Sequence, residues 1–497
     1  MTVGVLAQAG GVVGASGLGL LFVAEQRRFR LAGLVALALG MGLMLPLLAP
    51  SEHKGVLAAA GVLAVPLLGG LAFALHRYPW ALAFLAVATA PVRIPVTVGT
   101  TSANLLLPLY AVIAAAAIAL AWSLCRDPPR RELGTLAWPL AALVVWFGLS
   151  SLWTGDVRNG AILLFFFVLP FGLLAIALGR LRWSPRDARW LYGLLIGLAV
   201  IFAAIGIWQW AARDLFWNTE LVLSNARAPF YRVNSVFWDP SIYGRFLAIA
   251  ILALLALLLY PPRRSARLDL ALGGAIVFVW VGLLFSFSQS SFVALAVGVV
   301  LAAVLAWRWR ALVALLVIGA VMTPVGIASP QFDRVRESFA ASPEAGLDRT
   351  TGGRSRLVSV GVSIARENPL AGVGIGGFKE AYSERVTRRK DTRTVASHTT
   401  PVTVAAETGI VGLVLFGWLV AAGLLVAFRG SRVASDAAGR ARIAAGLAFA
   451  AIFVHSLFYN AFFEDPLMWG LLAIATVAAS ASKHPAPETE GGTDFRA

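Results

Sequence analysis

One short segment of this chain combines a proton acceptor with the start of a helix: ASHTTPVTVAAETGIVGLVLF, residues 396–416. Thr400 and Pro401 are typical of an N-cap followed by the first residue of a helix. His398 then lies just before the helix, beside the positive end of its dipole, where anions bind readily. Histidine is also well suited to accept a proton near neutral pH. The pattern predicts either a catalytic base or an interfacial histidine that hydrogen-bonds locally.

An acidic residue follows inside the same apolar run. Glu407 comes seven residues after Thr400, which places it two turns along the same helix face and about 10 Å deeper. Ionisable groups at that depth are either functional or paired between helices. Glu407 is therefore a candidate to support the site, and a buried structural pair is the alternative.

Four basic residues are candidates for binding an anionic group near the histidine. Arg354 and Arg356 begin an amphipathic helical pattern, and Lys379 follows a glycine-rich turn. Arg245, in FWDPSIYGRFLAIA, lies about one turn inside an apolar segment, where it faces a polar cavity or extends to the interface. Guanidinium groups bind phosphate oxygens in pairs, which suits a diphosphate. The alternatives are a solvated face or lipid head groups for the first three, and a buried pair with Glu407 for Arg245.

The elements that position these residues are membrane helices. Of the 497 residues, 59% are hydrophobic and only 13% are charged. Apolar runs of about 17–25 residues are long enough to cross a bilayer as helices. They predict an all-α integral membrane bundle of about 14–15 transmembrane helices. We place the spans at residues 3–24, 31–49, 55–75, 80–97, 103–124, 135–153, 160–179, 189–211, 241–260, 268–286, 291–307, 311–328, 402–427, 443–463 and 466–482.

The net charge of +16 is distributed in a way that sets topology. Alternate loops such as QRRFR, CRDPPRR and FRGSRVASDAAGRAR, with the C-terminal tail, carry 22 Lys and Arg. The short loops of the opposite parity carry three, Lys54, Arg93 and Arg158. Basic loops stay in the cytoplasm, so the N-terminus is predicted outside and the C-terminus inside. The basicity therefore does not indicate a nucleic-acid partner.

The predicted organisation has four parts: a membrane region of about 12 spans at 1–328, an extracytoplasmic loop at 329–401, C-terminal spans at 402–482 and a disordered tail at 483–497. The long loop is predicted to contain two helices, in SRLVSVGVSIARENP and FKEAYSERV, on either side of the turn GVGIGGF. Its outer segments lack the paired carboxylates that a catalytic Mg²⁺ or Mn²⁺ would need. We therefore predict no metal and no cofactor.

These motifs, in this order, resemble the O-antigen ligase and polymerase superfamily of membrane glycosyltransferases. SHTTPVTVAAETGIVGLVLF is similar to its signature of a histidine followed by a helix with glutamate and glycine. RSRLVSVGVSIARENPLAGVGIGGF resembles the element that precedes it, and Arg356 matches the family arginine best because Leu357 follows it. The long outer loop before the third span from the end also fits.

The sequence differs from the family pattern at two places. Thr399 and Pro401 stand where asparagine and an aromatic residue or leucine are frequent. Ser288-Gln289-Ser290 stands where the family often has Ser-Arg-Gly, so one phosphate-binding arginine is missing. Arg245, on the same outer side, is a candidate to replace it.

The resemblance implies a multi-pass enzyme of the bacterial cytoplasmic membrane with its active site on the extracytoplasmic side. It would transfer a glycan from undecaprenyl diphosphate to a sugar or lipid acceptor hydroxyl, without metal and with inversion of the anomer, in the synthesis of cell-envelope polysaccharide. His398 would be the base, and Arg356 with Arg245 would stabilise the diphosphate. Ligase and polymerase both remain open. A transporter or flippase for lipid-linked sugars is the alternative from another class.

Overall fold

The computed structural model describes residues 2–49, 54–98, 101–126, 130–216, 218–226, 230–260, 265–308, 310–311, 354–385, 397–429 and 437–481. These parts of the chain are helical apart from one short hairpin, which confirms the predicted helical membrane bundle. Apart from residue 311, the predicted span at 311–328 lies outside the described residues, as do the loop before residue 354 and the tail at 483–497.

The first part of the bundle contains helices and the hairpin. The helices are α1 (Val3–Val23), α2 (Arg27–Leu48), α3 (Lys54–Arg77), α4 (Ala81–Thr89), α5 (Leu107–Arg126), α6 (Ala137–Ser150), α7 (Val157–Leu163), α8 (Leu169–Gly179) and α9 (Pro185–Ala212). A π-helical turn, Leu164–Val168, joins α7 to α8, so that 157–179 form one membrane-length helix. Strands β1 (Ile94–Val98) and β2 (Thr101–Leu105) pair in antiparallel orientation.

The second part carries the candidate residues. Its helices are α10 (Thr219–Asn225), α11 (Pro240–Leu259), α12 (Ala266–Leu284), α13 (Gln289–Trp307), α14 (Arg354–Glu367), α15 (Phe378–Arg385), α16 (Thr400–Phe428), α17 (Ala437–Ser456) and α18 (Pro466–Ala481). The two predicted loop helices are confirmed as α14 and α15. Helix α14 ends just before Asn368-Pro369, because proline disfavours the helical conformation of the residue before it.

Ten helices in the described part of the chain are long and apolar enough to cross a membrane. Three shorter apolar segments, Gly61–Arg77, Gly134–Ser150 and Pro466–Ser480, coincide with three further predicted spans. The predicted span at 80–97 is wrong. Helix α4 ends at Thr89 and the hairpin follows, because Pro91 and Pro95 interrupt the helix.

Two apolar clusters fill the bundle, and helix α17 belongs to both. The larger cluster joins α1, α5, α6, α8, α16 and α18, and it includes Phe449 and Ile452 of α17. The smaller cluster joins α9, α11, α12 and α13, and it includes Leu447 and Ala451 of α17. A helix that is apolar on all sides is buried within its bundle. Helix α17 therefore lies between the two halves.

The two ends of the bundle differ in charge. We call the basic end the one formed by residues 24–30, 130–133, 180–189 and 437–442, and the loop end the one formed by 150–160, 230–240, 285–291, 368–377, 397–399 and 457–465. At the basic end Glu132 is buried between Arg30, at 2.6 Å, and Arg180, at 2.7 Å. The candidate histidine lies at the loop end.

Candidate active site at the loop end

Membrane helix α16 is broken near its start. Gly409 has φ +67° and ψ −167°, a conformation that lies outside helical geometry. The amide of Ile410 consequently donates to the carbonyl of Pro369, at 2.8 Å, instead of to its own helix. Backbone that leaves helical geometry at membrane depth must find such partners within the protein. The break therefore depends on the segment that contains Pro369.

The glycine-rich turn between α14 and α15 fills this break. The amides of Val373 and Gly374 donate to the carbonyls of Ala406 and Glu407, at 3.0 Å and 2.8 Å. Gly374 has φ +90°, and a Cβ there would lie 2.4 Å from the backbone of Thr154. The repeated glycines of this turn are therefore required by left-handed backbone and by close contact. They do not form a dinucleotide-binding loop.

The carboxylate of Glu407 is directed at the same turn. Its Oε1 accepts a hydrogen bond from the amide of Phe378, at 3.4 Å, and the amide of Gly376 also donates to it. Glu407 is only 5% exposed, so these amides replace water around its carboxylate. The alternative prediction of an ion pair between Glu407 and Arg245 is wrong. Glu407 holds the glycine turn against the membrane helix.

We expect Gly409→Ala to lower the free energy of unfolding by about 1–3 kcal/mol, because alanine disfavours the positive φ at this position. A Cβ at this position would also meet the carbonyl oxygen of Leu370 at 2.2 Å. Melting temperature in detergent measures the effect. Gly417→Ala is the matched control, because position 417 lies on the same helix and a Cβ there meets nothing within 4 Å. Equal melting temperatures for the two variants would contradict the proposed strain.

His398 lies in a tight turn at the start of α16. Its φ is +64°, which is uncommon for a residue with a side chain and often marks functional sites. Ser397 and Thr403 fix this turn, since the Ser397 amide donates to the Thr403 hydroxyl at 3.2 Å and the two hydroxyls are 3.0 Å apart. The N-cap is Thr399, one residue earlier than predicted. The histidine side chain itself is half-buried.

Helix α14 packs against the start of α16, close to this turn. A Cβ on Gly361 would lie 2.6 Å from Val402 and 3.4 Å from the Ser397 side chain. Leu357, Val360 and Ile364 pack with α15, which confirms the predicted apolar face of this helix. The loop helix is thereby placed beside the residue that precedes His398.

The basic residues of the loop take different positions around α14 and α15. Arg356 and Lys379 are exposed. Position 356 lies five residues before Gly361, so it is rotated away from the packed face of α14. The side chain of Arg354 lies outside the described part of the structure. Their roles as diphosphate ligands remain predictions.

Arg245 forms a buried ion pair with a residue that sequence analysis missed. Its Nε lies 2.9 Å from Oδ2 of Asp465, and both side chains are 5% exposed. The guanidinium also reaches the carbonyl of Ala461, at 3.5 Å. Asp465 accepts a second bond from the Leu467 amide at the start of α18, at 2.9 Å. Arg245 thus connects α11 to the last loop, and its predicted contact with a diphosphate remains a prediction.

Glu464 lies between Arg245 and the start of α16. It lines a cavity of about 50 Å³ together with Thr400, Thr403 and Glu407. It also lines a cavity of about 30 Å³ together with Arg93 and Arg245. The surface that Glu464 exposes therefore faces small cavities. Burial raises the pKa of Glu464 to about 7, while Arg93 and Arg245 oppose this rise. A sequence signal was present in Glu464-Asp465-Pro466, an acidic pair directly before a membrane helix.

The raised pKa of Glu464 predicts that its contribution favours the folded protein at lower pH. The folded protein holds the proton up to about pH 7, whereas the unfolded chain releases it near the ordinary pKa of 4.5. Stability from this group is therefore present below about pH 4.5 and is lost as the pH rises to about 7. We expect the melting temperature of the unmodified protein to fall between pH 5 and 8 in part because Glu464 loses its proton. Glu464→Gln cannot ionise, so its melting temperature should lack this part of the fall. Glu220→Gln, at an exposed site of the same end, is the control.

The segment that lacks the family arginine forms a buried hydroxyl cluster. Ser288 lies 3.2 Å from Ser290 and 2.8 Å from Ser291, between the hydroxyl oxygens. Oγ of Ser290 lies 3.0 Å from Nε2 of His455, a fully buried side chain at the end of α17. His455 was not among the predicted residues, because it lies inside an apolar run. Among the described residues no group of three or more His, Cys, Asp or Glu side chains could hold a metal ion.

The fold and the loop end define the class of this protein: a polytopic helical membrane protein with a loop docked into a broken membrane helix. Residues 274–417 match a family model described as O-antigen ligase. The match extends from α12 into α16 and contains Arg354, Arg356, His398 and Glu407, whereas Arg245 precedes it. This segment of the chain is therefore similar to the O-antigen ligase family, and the resemblance drawn from its motifs is confirmed. No curated protein matches the chain.

Proposed function

We propose that this protein is a membrane glycosyltransferase that moves a glycan from undecaprenyl diphosphate to an acceptor hydroxyl at the outer face of the cytoplasmic membrane. The observation that carries the proposal is the placement of His398. It lies in a left-handed turn at the start of a membrane helix, inside the region that matches the O-antigen ligase family. The excess of basic residues at the opposite end supports an extracytoplasmic location for the loop end.

In the proposed reaction His398 accepts the proton of the acceptor hydroxyl. The acceptor oxygen forms a bond with the anomeric carbon as the bond from that carbon to the diphosphate oxygen breaks. Attack opposite the leaving group inverts the anomer, and undecaprenyl diphosphate departs with the bonding electrons. The N-terminus of α16 and nearby guanidinium groups stabilise the negative charge that collects on the diphosphate. This mechanism needs no metal.

We expect Arg356→Ala to reduce transfer by roughly 10- to 100-fold, the effect of losing one hydrogen-bonded charge. Arg354→Ala should have a smaller effect, because Arg356 matches the family arginine better and is exposed on α14. Arg356→Lys should not restore full activity, since an ammonium group lacks the paired geometry of guanidinium. Initial rates at limiting donor measure the difference.

Arg366→Ala is the matched control for these variants, because Arg366 is an exposed arginine at the opposite end of α14. An inactive Arg354 variant beside a normal Arg356 variant would show that the diphosphate meets a different face of this helix.

The proposed function is tested with purified protein in detergent, a synthetic polyprenyl-diphosphate glycan and candidate acceptors, in excess EDTA. We expect a new glycoside bond and release of polyprenyl diphosphate, both detected by mass spectrometry. Elongation of one lipid-linked glycan by another would identify a polymerase, and transfer to a different lipid or sugar acceptor would identify a ligase. A transporter needs two compartments, so lipid-linked sugar that crosses proteoliposomes without transfer in detergent would refute the proposal.

A further inference from the structure

A large cavity lies at the basic end, at the opposite end of the bundle from His398. It has a volume of about 540 Å³ and lies between α9, α11, α17 and α18. Ligand-binding cavities in proteins commonly have volumes of about 300–1,000 Å³. One wall is an alanine face of α17, formed by Ala437, Ala438, Ala441, Ala444, Ala445 and Ala448.

The other walls of the cavity are also apolar. Leu191 and Leu195 contribute from α9, and Leu471 and Ile474 contribute from α18. The cavity lies where the two apolar clusters of the bundle face each other, on either side of α17. Small alanine side chains opposite long leucines leave a groove suited to a flexible hydrocarbon chain. Such a lining excludes a polar sugar or nucleotide as the occupant.

Arg182, which is exposed, stands at the polar edge of this cavity. Arg182 lines it and also lines a neighbouring cavity of about 590 Å³. Within the described ranges Arg182 has no hydrogen bond or ion pair of its own, whereas the adjacent Arg180 is held by Glu132 at 2.7 Å. A cation at the edge of an apolar groove complements an anionic head group attached to a hydrocarbon chain.

Among the described residues near the cavity, the acidic groups already have partners. Asp187, which lines the neighbouring cavity, accepts a hydrogen bond from the Ser184 hydroxyl at 2.7 Å and so stabilises the start of α9. Glu132 is buried between Arg30 and Arg180. The edge of the groove therefore presents the positive charge of Arg182 to the membrane surface.

We propose that this cavity binds one acyl chain of an anionic glycerophospholipid from the cytoplasmic leaflet, with the lipid phosphate at Arg182. The bound chain fills the space between α9 and the α17–α18 pair and links the two halves of the bundle. This site is separate from the proposed transfer site, and its occupant is a structural lipid that takes no part in transfer.

The test compares phosphatidylglycerol with phosphatidylethanolamine of identical acyl chains, added to the purified full-length protein in detergent. Native mass spectrometry counts bound lipid, and melting temperature reports its effect on the fold. We expect preferential retention of phosphatidylglycerol and a higher melting temperature with it. Arg182→Gln should weaken its binding about fivefold, the usual effect of one basic residue at a membrane surface.

Two further variants locate the binding site. Ala441→Trp places an indole ring in the groove, so we expect it to reduce lipid retention without lowering the melting temperature measured in the absence of lipid. Arg189→Gln removes the same charge from an exposed position of α9 outside the cavity lining, and it should bind phosphatidylglycerol normally.

Three results would overturn the proposal. Equal retention of the two phospholipids would show that the site does not select the anionic head group. Unchanged lipid retention in Ala441→Trp would show that the lipid binds elsewhere on the protein. Recovery of a polyprenyl chain in place of phospholipid would show that the groove belongs to the donor. The measurements require no glycan transfer, so they are independent of the proposed enzymatic function.

Discussion

Replacement of His398 is expected to lower glycan transfer by about 10²–10⁴-fold, the usual contribution of a general base. Alanine removes the imidazole but also disfavours the left-handed backbone at this position, where φ is +64°. His398→Asn is therefore the sharper variant, because asparagine adopts this conformation readily and cannot act as the base. Both variants should reach the membrane at normal levels, and transfer is measured with purified protein at saturating donor.

His76→Ala is the control for loss of a histidine. His76 is exposed and lies on α3 at the end of the bundle opposite His398. We expect it to transfer glycan normally. Transfer by His398→Asn within about threefold of the unmodified protein, far short of the range for a general base, would show that His398 caps the helix without taking the proton.

Arg245→Gln is expected to destabilise the protein by about 3–5 kcal/mol, because it leaves the buried carboxylate of Asp465 without its cation. The double variant Arg245→Gln with Asp465→Asn should recover most of that loss, since neither partner is then charged. Melting temperature in detergent measures the effect near pH 7. Arg158→Gln, an exposed arginine at the same end, serves as the control and should leave the melting temperature unchanged.

Activity separates the two interpretations of Arg245. If it only joins α11 to the last loop, the double variant should recover transfer together with stability. If the guanidinium also binds diphosphate, the double variant should be stable but slow. A single variant with unchanged stability would contradict the ion pair.

The local features of the site could be predicted from the sequence. The apolar spacing of Leu357, Val360 and Ile364 identified the packed face of α14, and Asn368-Pro369 placed its end. The end of α4 was missed, because the predicted span continued to residue 97. His398 could be assigned to a helix start because threonine and proline follow it directly. Each of these features depends on residues that are close together in the sequence.

The partners across the bundle could not be predicted in this way. Glu407 was as compatible with an arginine as with the amides of a glycine turn, because both satisfy a buried carboxylate. Arg245 and Asp465 lie 220 positions apart in the chain, and no periodic pattern joins them. The hairpin was also missed, because its two strands were divided between the predicted spans at 80–97 and 103–124.

The broken helix α16 has a consequence for the order in which this protein is made. The glycine turn is synthesised before α16, yet its amides bond to carbonyls that a straight helix would keep for itself. Before the turn docks, these carbonyls can accept hydrogen bonds within α16, so α16 can enter the bilayer as an ordinary continuous helix. Docking replaces those helical bonds with bonds to the amides of the turn. The turn would then dock from the outer side and bend it. The site can therefore be completed only after both the glycine turn and α16 have been synthesised.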